Sequence, residues 1–291
     1  MKLINIIRRN KHPYIFILPF FILFLVFKLY PLLWTIRISF TEWNGMNEPI
    51  SVGFQNYKDL FNDYMFWDAV YNTIIYWLVG GFFIIAIAML LSLLLNYKKL
   101  KGLKFFKVVT FLPNISAAIA MGLIFGMLFD QNLGIINELL EIFGINRINW
   151  LTSTKFSKIP VLTLYIWRFV PWFALVILSG LLKIPIEYYE AAKIDGANKI
   201  QQFIKITLPN ISRILFFCFI IVTVNSWKMF NESYILKGPG TSNISLFQYL
   251  YQSAFTTFKM GYASAIGVVL IIILAIASAI QFIIRKRNAE I

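Results

Sequence analysis

The sequence predicts an all-α integral membrane protein with six transmembrane helices, and three observations lead to this class. The chain has 291 residues, of which 59% are hydrophobic, and its mean hydropathy is +0.72, which is too apolar for a soluble domain. Several uncharged apolar runs exceed the ~18 residues that mark a membrane-spanning helix. These runs lack the alternation of apolar and polar residues found in the strands of outer-membrane barrels, so we exclude that architecture.

Six apolar runs, separated by polar segments, are the predicted spans of a single transmembrane domain over residues 1–291. The first follows a basic N-terminus, as in a signal peptide, but it continues past Lys28 without a small-residue cleavage site, so we interpret it as a span. The third contains Gly122 and Gly126, which let helix backbones approach closely, and we predict a packing face there rather than a ligand contact. The predicted spans cover about residues 14–36, 73–95, 108–129, 159–182, 214–230 and 262–284.

Lysine and arginine are distributed unevenly about these spans. Seventeen lie in the N-terminal segment, the 98–107 loop, the 183–213 segment and the C-terminal segment, whereas seven lie on the other side of the bundle. By the positive-inside rule, both termini and the segment between the fourth and fifth spans face the cytoplasm of a bacterial cell. This topology accounts for the net charge of +14, so we expect a bilayer and no nucleic acid as the partner.

The sequence indicates no catalytic or cofactor site. The single cysteine, Cys218, lies within a span, which excludes an internal disulfide and argues against a thiol or zinc site, and the single histidine is His12. No Gly-x-x-x-x-Gly-Lys-Ser/Thr phosphate loop occurs, and the 237–241 segment lacks both its spacing and its strand-to-helix context. There is no Ser/His/Asp set, metal cluster or carboxylate pair deep in one apolar segment. We therefore expect a protein that is not an enzyme and binds no cofactor itself.

A polar segment over residues 186–209 separates the fourth span from the fifth. Pro185 suits the first turn of a helix, because its missing N–H would be unpaired there anyway. Glu187 and Glu190 then lie near the positive end of that helix. Gly196 is predicted to end the helix, since glycine adopts positive φ without penalty.

A second short helix is predicted after Gly196, and Pro209 is predicted to interrupt it before the fifth span. Its apolar face consists of Ile200, Phe203, Ile204 and Thr207, at i, i+3, i+4 and i+7 spacing. On this pattern alone, such a segment is most often an amphipathic hairpin that packs beneath its own helices.

The motifs of this segment resemble the EAA loop of ABC-importer permeases. They are Glu190-Ala191-Ala192, Asp195-Gly196-Ala197, and Ile206 with Leu208-Pro209. One departure is Arg213, where many relatives have a second proline. Further similar segments are Leu29-Tyr30-Pro31, Gly53–Tyr57, Leu133–Asn137, Phe230–Leu236 and Met260–Ala265. The resemblance extends from about residue 14 to 284 and is closest to carbohydrate-importer permeases of the maltose and glycerol-3-phosphate branch.

The resemblance implies a type I ABC importer permease with the MetI-like fold. It implies that the 186–209 loop is a cytoplasmic coupling element that docks on an ATPase subunit. The coupling residues carried over are Glu190, Ala191, Ala192, Asp195, Gly196, Ala197, Leu208 and Pro209. The implied partners are a second, similar permease, two ATPase subunits that bind ATP and Mg²⁺, and an external solute-binding protein.

Polar residues at membrane depth are candidates for a translocation path, because unpaired polar groups in hydrocarbon are costly. The candidates are Arg168, Asn225, Trp227, Asn231 and Tyr234. Amides and hydroxyls beside aromatic rings suit sugars, which present both polar edges and C–H faces. A purely structural interpretation stays open, in which Arg168 pairs with Glu232 or a carbonyl and the tryptophans anchor the interface.

Two other functions stay open. A permease of the same class for glycerol phosphate, phosphate or a polyamine would need charged groups in the path, and Arg168 and Lys228 are the basic candidates for phosphate. A stand-alone secondary carrier predicts ionisable relays or inverted repeats. The sequence shows neither.

Overall fold

The computed structural model describes residues 11–96 and 102–289, and these residues are mostly helical. Several of the basic residues that predict the orientation lie outside these ranges: Lys2, Arg8, Arg9, Lys98, Lys99 and Lys101. The helices are α1 (Lys11–Phe24), α2 (Tyr30–Ile38), α3 (Gln55–Asn62), α4 (Tyr64–Ile75), α5 (Gly81–Leu95), α6 (Leu103–Ile115), α7 (Ala118–Leu128), α8 (Ile135–Ile142), α9 (Lys158–Leu181), α10 (Ile186–Ile194), α11 (Lys199–Gln202), α12 (Leu208–Trp227), α13 (Asn231–Ile235), α14 (Leu246–Phe255) and α15 (Met260–Ala289). Wider π-helical turns occupy Leu25–Leu29, Tyr76–Gly80 and Phe203–Thr207, and the strands are β1 (Thr41–Glu42) and β2 (Ile50–Ser51).

Within the described residues, five helical segments are long and apolar enough to cross a membrane. They are Ile15–Ile38, Tyr64–Leu95, Lys158–Leu181, Lys199–Ile235 and Met260–Lys286. A bent helix pair makes a sixth if its two halves are counted as one span. The predicted all-α class with several apolar membrane helices is confirmed.

The third predicted span, 108–129, is not one straight helix. Val108–Ile115 and Ala118–Leu128 meet at 98°, because Ser116 and Ala117 have extended backbone conformations, with ψ of 145° and 122°. Pro113 in the last turn of α6 removes one helical donor just before this break. The apolar run continues across the break, which is why its composition predicted an unbroken helix.

The chain contacts divide into two units, Met1–Asp63 with Leu250–Val269, and Tyr64–Tyr249 with Leu270–Ile291. In the first unit, β1 and β2 form an antiparallel pair beside α3. The buried Asn56 of α3 donates its amide to the backbone carbonyls of Ser39 and Thr41, both at 2.9 Å. Asn56 thereby fixes the chain that enters β1.

Gly261, at the start of α15, completes this arrangement in the first unit. Its N–H donates to the carbonyl of Trp43 at 3.2 Å, and a Cβ at this position would lie only 1.8 Å from the carbonyl oxygen of Thr41. Only glycine fits there. The family-like segments around residues 54–57 and 260–262 therefore meet as one packing site.

In the second unit, α9 is the central helix, and it packs mainly against α5 and also against α6 and α12. The largest fully buried side chains of this unit include Tyr76, Ile84, Tyr165, Phe173 and Ile211. The predicted packing face on α7 is confirmed at Gly122, where a Cβ would lie 2.7 Å from Cγ2 of Ile235. Residue 122 must therefore be small for α13 to lie against α7.

Candidate functional site

The segment between α9 and α12 presents its first helix, α10, to the surroundings. Pro185 immediately precedes α10, Glu187 lies in its first turn, and none of the nine residues is buried. Two apolar side chains are notably exposed, Tyr188 at 53% and Ile194 at 86%. The pattern therefore differs from that of a hairpin packed beneath its own bundle.

Gly196 ends α10, as predicted, through a C-terminal capping motif. Its φ is +80°, a conformation that disfavours side chains with a Cβ. The N–H of Ala197 donates to the carbonyl of Ala192 at 2.8 Å, and the N–H of Gly196 donates to that of Lys193 at 3.2 Å. These two bonds are the Schellman pair, which satisfies the last carbonyls of the helix.

The second short helix begins with a capping box. The Asn198 side chain accepts from the N–H of Gln201 at 2.9 Å, and the Gln201 side chain accepts from the N–H of Asn198 at 2.8 Å. The Gln202 amide donates to the carbonyl of Ala197 at 2.9 Å. The turn between α10 and α11 is therefore closed by local bonds at both ends.

Pro209 does not interrupt the chain, contrary to the prediction. The helix runs from α11 through the π-helical turn Phe203–Thr207 into α12, and Pro209 lies in the first turn of α12. The wider turn just before the proline leaves room for its ring and needs no donor from it. The predicted apolar face is also divided, because Thr207 is buried whereas Ile200 is 70% exposed.

The eight predicted coupling residues occupy two places in this segment. Six lie along α10 and its capping turn, where Glu190, Ala191, Asp195 and Gly196 are exposed and Ala192 and Ala197 are half-buried. The other two, Leu208 and Pro209, begin α12, and Leu208 packs against the hydrophobic core. The exposed part and the core-packed part are thus joined by α11 and the π-helical turn.

Arg168 of α9 pairs with Glu232 of α13, as the structural interpretation predicted. Arg168 Nη1 donates to Glu232 Oε1 at 2.7 Å, and the two side chains are 20% and 4% exposed. The guanidinium also lies over the ring of Phe169 at 5.6 Å. Arg168 is therefore neutralised in place and is not a free cation in the path.

The other predicted path residues have different environments. Trp227, at the end of α12, is buried, with its ring centroid 6.2 Å from that of Trp77. Asn225 and Asn231 are half-buried, and Tyr234 is exposed and stacks on Phe230 at 4.9 Å. These residues therefore lie along one stretch of chain, in environments that range from buried to exposed.

A partly buried polar cluster, which sequence reasoning missed, lies beside Trp227. The Thr223 hydroxyl accepts from Trp77 Nε1 at 2.9 Å and from Gln281 Nε2 at 2.7 Å. Among the described residues, Trp227 Nε1 and Gln281 Oε1 are buried without a hydrogen-bond partner. The cluster combines residues from three distant spans, and each residue alone is an isolated polar group in an apolar run.

An open cavity of about 440 Å³ lies between α7 and the chain that follows α13. Its walls are mostly aliphatic, including Leu123, Met127 and Leu236, and Asp130 and Lys237 are its charged lining residues. Backbone N–H groups, of Leu133 first and then of Asn132, hold the pKa of Asp130 below its usual range. In the described part of the chain, no group of three or more His, Cys, Asp or Glu side chains could hold a metal ion.

Comparisons with known proteins point to one family. Residues 85–290 match the family described as "Binding-protein-dependent transport system inner membrane component". The "Probable ABC transporter permease protein YurN" of Bacillus subtilis (strain 168) is 33% identical over 98% of this chain and 99% of its own length. The "Arabinooligosaccharides transport system permease protein AraP" of the same organism is 35% identical over 94% of this chain and 88% of its own length.

A solved structure has the same fold. A chain in the crystal structure of a bacterial alginate ABC transporter, in complex with an alginate pentasaccharide-bound periplasmic protein, superposes with a TM-score of 0.84. The superposition covers 99% of this chain and 98% of that chain, at 22% sequence identity. The MetI-like permease fold and the resemblance seen in the sequence are confirmed. The chain belongs to the family of binding-protein-dependent transport system inner membrane components and is a multi-pass permease subunit of an ABC importer.

Proposed function

We propose that this permease moves a sugar or oligosaccharide from an external binding protein to the cytoplasm by ATP-driven alternating access. The observation that carries the proposal is the 186–209 segment, hereafter the coupling loop, whose first helix is exposed and whose second half is continuous with a membrane span. It is braced by the capping bonds at Gly196 and Asn198, and its second half runs unbroken into α12. Such a loop can receive force outside the membrane and pass it to the bundle.

The partner at the coupling loop is an ATPase subunit with an apolar groove. Exposed apolar patches rimmed by polar residues mark sites where another protein binds. The exposed Tyr188, Ile194 and Ile200 supply that apolar contact, and Glu190 and Asp195 supply charge at its edge. With a second permease beside this one, two such loops engage two ATPases, which bind the ATP and Mg²⁺.

The transport cycle then follows from rigid movement of helices. Closure of the two ATPases on ATP draws the coupling loops together, and the attached spans turn the cavity outward to the binding protein. Hydrolysis of ATP separates the ATPases and resets the bundle. Packed helices change between discrete arrangements rather than deforming continuously, so a small movement at the loop is sufficient.

A neutral carbohydrate fits the path better than an anion does. Arg168 is neutralised by Glu232 at 2.7 Å, so it is not available to a phosphate group. Lys228, the other basic candidate, is exposed at the end of α12. Apart from the Arg168–Glu232 pair, the buried and half-buried polar groups of this region are uncharged, namely the amides of Asn225, Asn231 and Gln281, the hydroxyl of Thr223 and the indole of Trp227. The oligosaccharide relative AraP supports the same class of solute.

Replacement of Gly196 tests the ATP-driven mechanism. Gly196→Val places a β-branched residue at φ +80°, which strains the turn that carries the coupling loop. The matched control is Gly144→Val, at φ +74° in a loop elsewhere, where a Cβ likewise meets nothing within 4 Å. We expect ATP-dependent uptake by the complete complex to fall severalfold for the Gly196 variant and to stay near the wild-type rate for the control. Uptake that continues without ATP would identify a secondary carrier instead.

A further inference from the structure

The helix α10 is held to the rest of the chain by one side-chain hydrogen bond. The Tyr189 hydroxyl lies 2.9 Å from the Thr207 hydroxyl. Among the hydrogen bonds of the described residues, no other α10 side chain takes part in one, and the ion pairs of these residues do not include α10. Because α10 also has no buried residue, this bond is its specific side-chain attachment.

Thr207 lies where the coupling loop becomes the fifth span. It is the last residue of the π-helical turn, it is 4% exposed, and the N–H of the next residue, Leu208, bonds five residues back to the carbonyl of Phe203. Phe203 and Leu208 both pack against the hydrophobic core of the second unit. A side chain that hydrogen-bonds to Thr207 is therefore attached to the base of α12, that is, to the N-terminal end of this helix at Leu208.

The base of α12 is in turn packed closely against α9. A Cβ at Gly180 would lie 2.3 Å from Cδ1 of Ile214, so the two helices are in contact at that point. The Schellman and capping bonds, by contrast, stay within residues 192–202 and connect α10 only to α11. Through side chains, a movement of α10 reaches the base of α12 by way of Tyr189.

We propose that Tyr189 and Thr207 are positioning residues that make α10 and α12 move as one body when the ATPases close. The pair acts through the helices and contacts neither solute nor nucleotide. The proposal rests on the function proposed above for the coupling loop. It adds that the loop transmits force through a specific hydroxyl pair across the π-helical turn, in addition to the backbone connection.

Distance measurements between two spin labels test this pair. The labels are placed at Lys193 on α10 and at Phe219 on α12, both exposed, with Cys218 replaced by alanine. The complete complex with its ATPases is measured without nucleotide and after trapping with ATP, Mg²⁺ and vanadate. We expect the distance to be the same in both states for the wild-type pair. Two states of α10 are compared, one attached to Thr207 through Tyr189 and one detached from it. Removing one hydroxyl should shift the equilibrium between them by about fivefold, which is the effect of losing one net hydrogen bond.

Tyr189→Phe and Thr207→Val are the test variants. Tyr71→Phe is the matched control, since it removes the same atom from an exposed ring on α4, away from the coupling loop. Thr207→Ser keeps the hydroxyl and should behave as wild type. We expect a broadened or displaced distance only in the two test variants, and only after trapping. An unchanged distance in both would overturn the proposal, as would an equal change in Tyr71→Phe.

The outcomes also separate this pair from the wider function. Suppose that the wild-type complex traps vanadate and Tyr189→Phe leaves the distances unchanged. The hydroxyl pair then has no role in force transmission, whereas the proposed coupling of the loop to the ATPase still stands. If no ATPase binds the wild-type permease, the proposed function fails first. A structural effect alone would alter the distance without nucleotide as well, so the comparison of the two states distinguishes it.

Discussion

The Asn137 side chain holds together the chain segment that connects α7 to α9. It is fully buried, and its amide donates to the carbonyls of Asp130, Gln131 and Ile148 at 3.4, 3.0 and 3.0 Å. Its oxygen accepts from the N–H of Ile148 and from Trp150 Nε1 at 3.2 and 2.8 Å. The sequence marks this residue only as part of a family-like segment, because its partners lie up to 13 residues away in a loop without periodicity.

Asn137→Ala should therefore destabilise the permease strongly. The substitution leaves several buried polar groups without partners, and each costs about 1–3 kcal/mol, so we expect a loss of at least ~2 kcal/mol. Thermal unfolding of the detergent-purified protein measures this as a lower Tm. Asn146→Ala, at an exposed position nine residues further along the same connection, is the control and should leave Tm unchanged. Equal Tm values for the two variants would show that the network is not a stabilising one.

The ion pair of Arg168 and Glu232 gives a second prediction at this scale. Removing one member leaves the other charged and buried, which typically costs about 3–5 kcal/mol. Arg168→Met should thus lower Tm markedly, whereas Arg168→Met with Glu232→Leu should recover most of the loss. Lys228→Met removes an exposed cation nearby and serves as the control. If the double variant is no more stable than Arg168→Met alone, the two charges are not coupled.

At the scale of elements, long apolar runs predicted which segments cross the membrane but not where they begin or bend. The helix of the second span starts at Tyr64 rather than at residue 73, and Asp68 within it accepts a hydrogen bond from the Thr241 hydroxyl. Thr241 is 173 residues away, so no local pattern could have indicated this. The break at Ser116 escaped prediction because the apolar run continues across it.

The two glycines of α7 provide a matched test of helix packing. Gly122→Ala brings a Cβ to 2.7 Å from Ile235, whereas Gly126→Ala brings one to 3.8 Å from Leu236, an ordinary contact. We expect the first to lower the stability by about 1–3 kcal/mol through overpacking. The second should be neutral or slightly stabilising, because alanine favours helix by up to ~1 kcal/mol over glycine. Thermal unfolding compares them, and Gly122→Ala combined with Ile235→Ala should recover part of the loss.

At the scale of the whole molecule, the coupling loop could be predicted because its residues are contiguous. The helix, the glycine stop and the second helix each have local signals, and the structure has all three. The polar cluster of Trp77, Thr223 and Gln281 could not be predicted, since its members come from three spans and meet only through tertiary packing. The pairing of Arg168 with Glu232 could be predicted in part. Opposite charges at membrane depth are expected to pair, but the sequence left a backbone carbonyl as the other possible partner of Arg168.

The cytoplasmic position of the coupling loop is the prediction on which the mechanism depends at this scale. It follows from the distribution of lysine and arginine and can be tested independently of transport. The single cysteine, Cys218, is buried and can be replaced by alanine to give a background for labelling. Lys193→Cys then reports on the exposed face of α10, and Asn146→Cys reports on the exposed connection between α7 and α9.

A membrane-impermeant maleimide should label Asn146→Cys in intact cells and should leave Lys193→Cys unlabelled. In inside-out vesicles, washed to remove a bound ATPase, the reactivities should be reversed. The physical reason is that an odd number of membrane crossings separates the two positions: the span from Lys158 to Leu181 is the one between them. Labelling of Lys193→Cys in intact cells would place the coupling loop outside, where no cytoplasmic ATPase could drive the bundle.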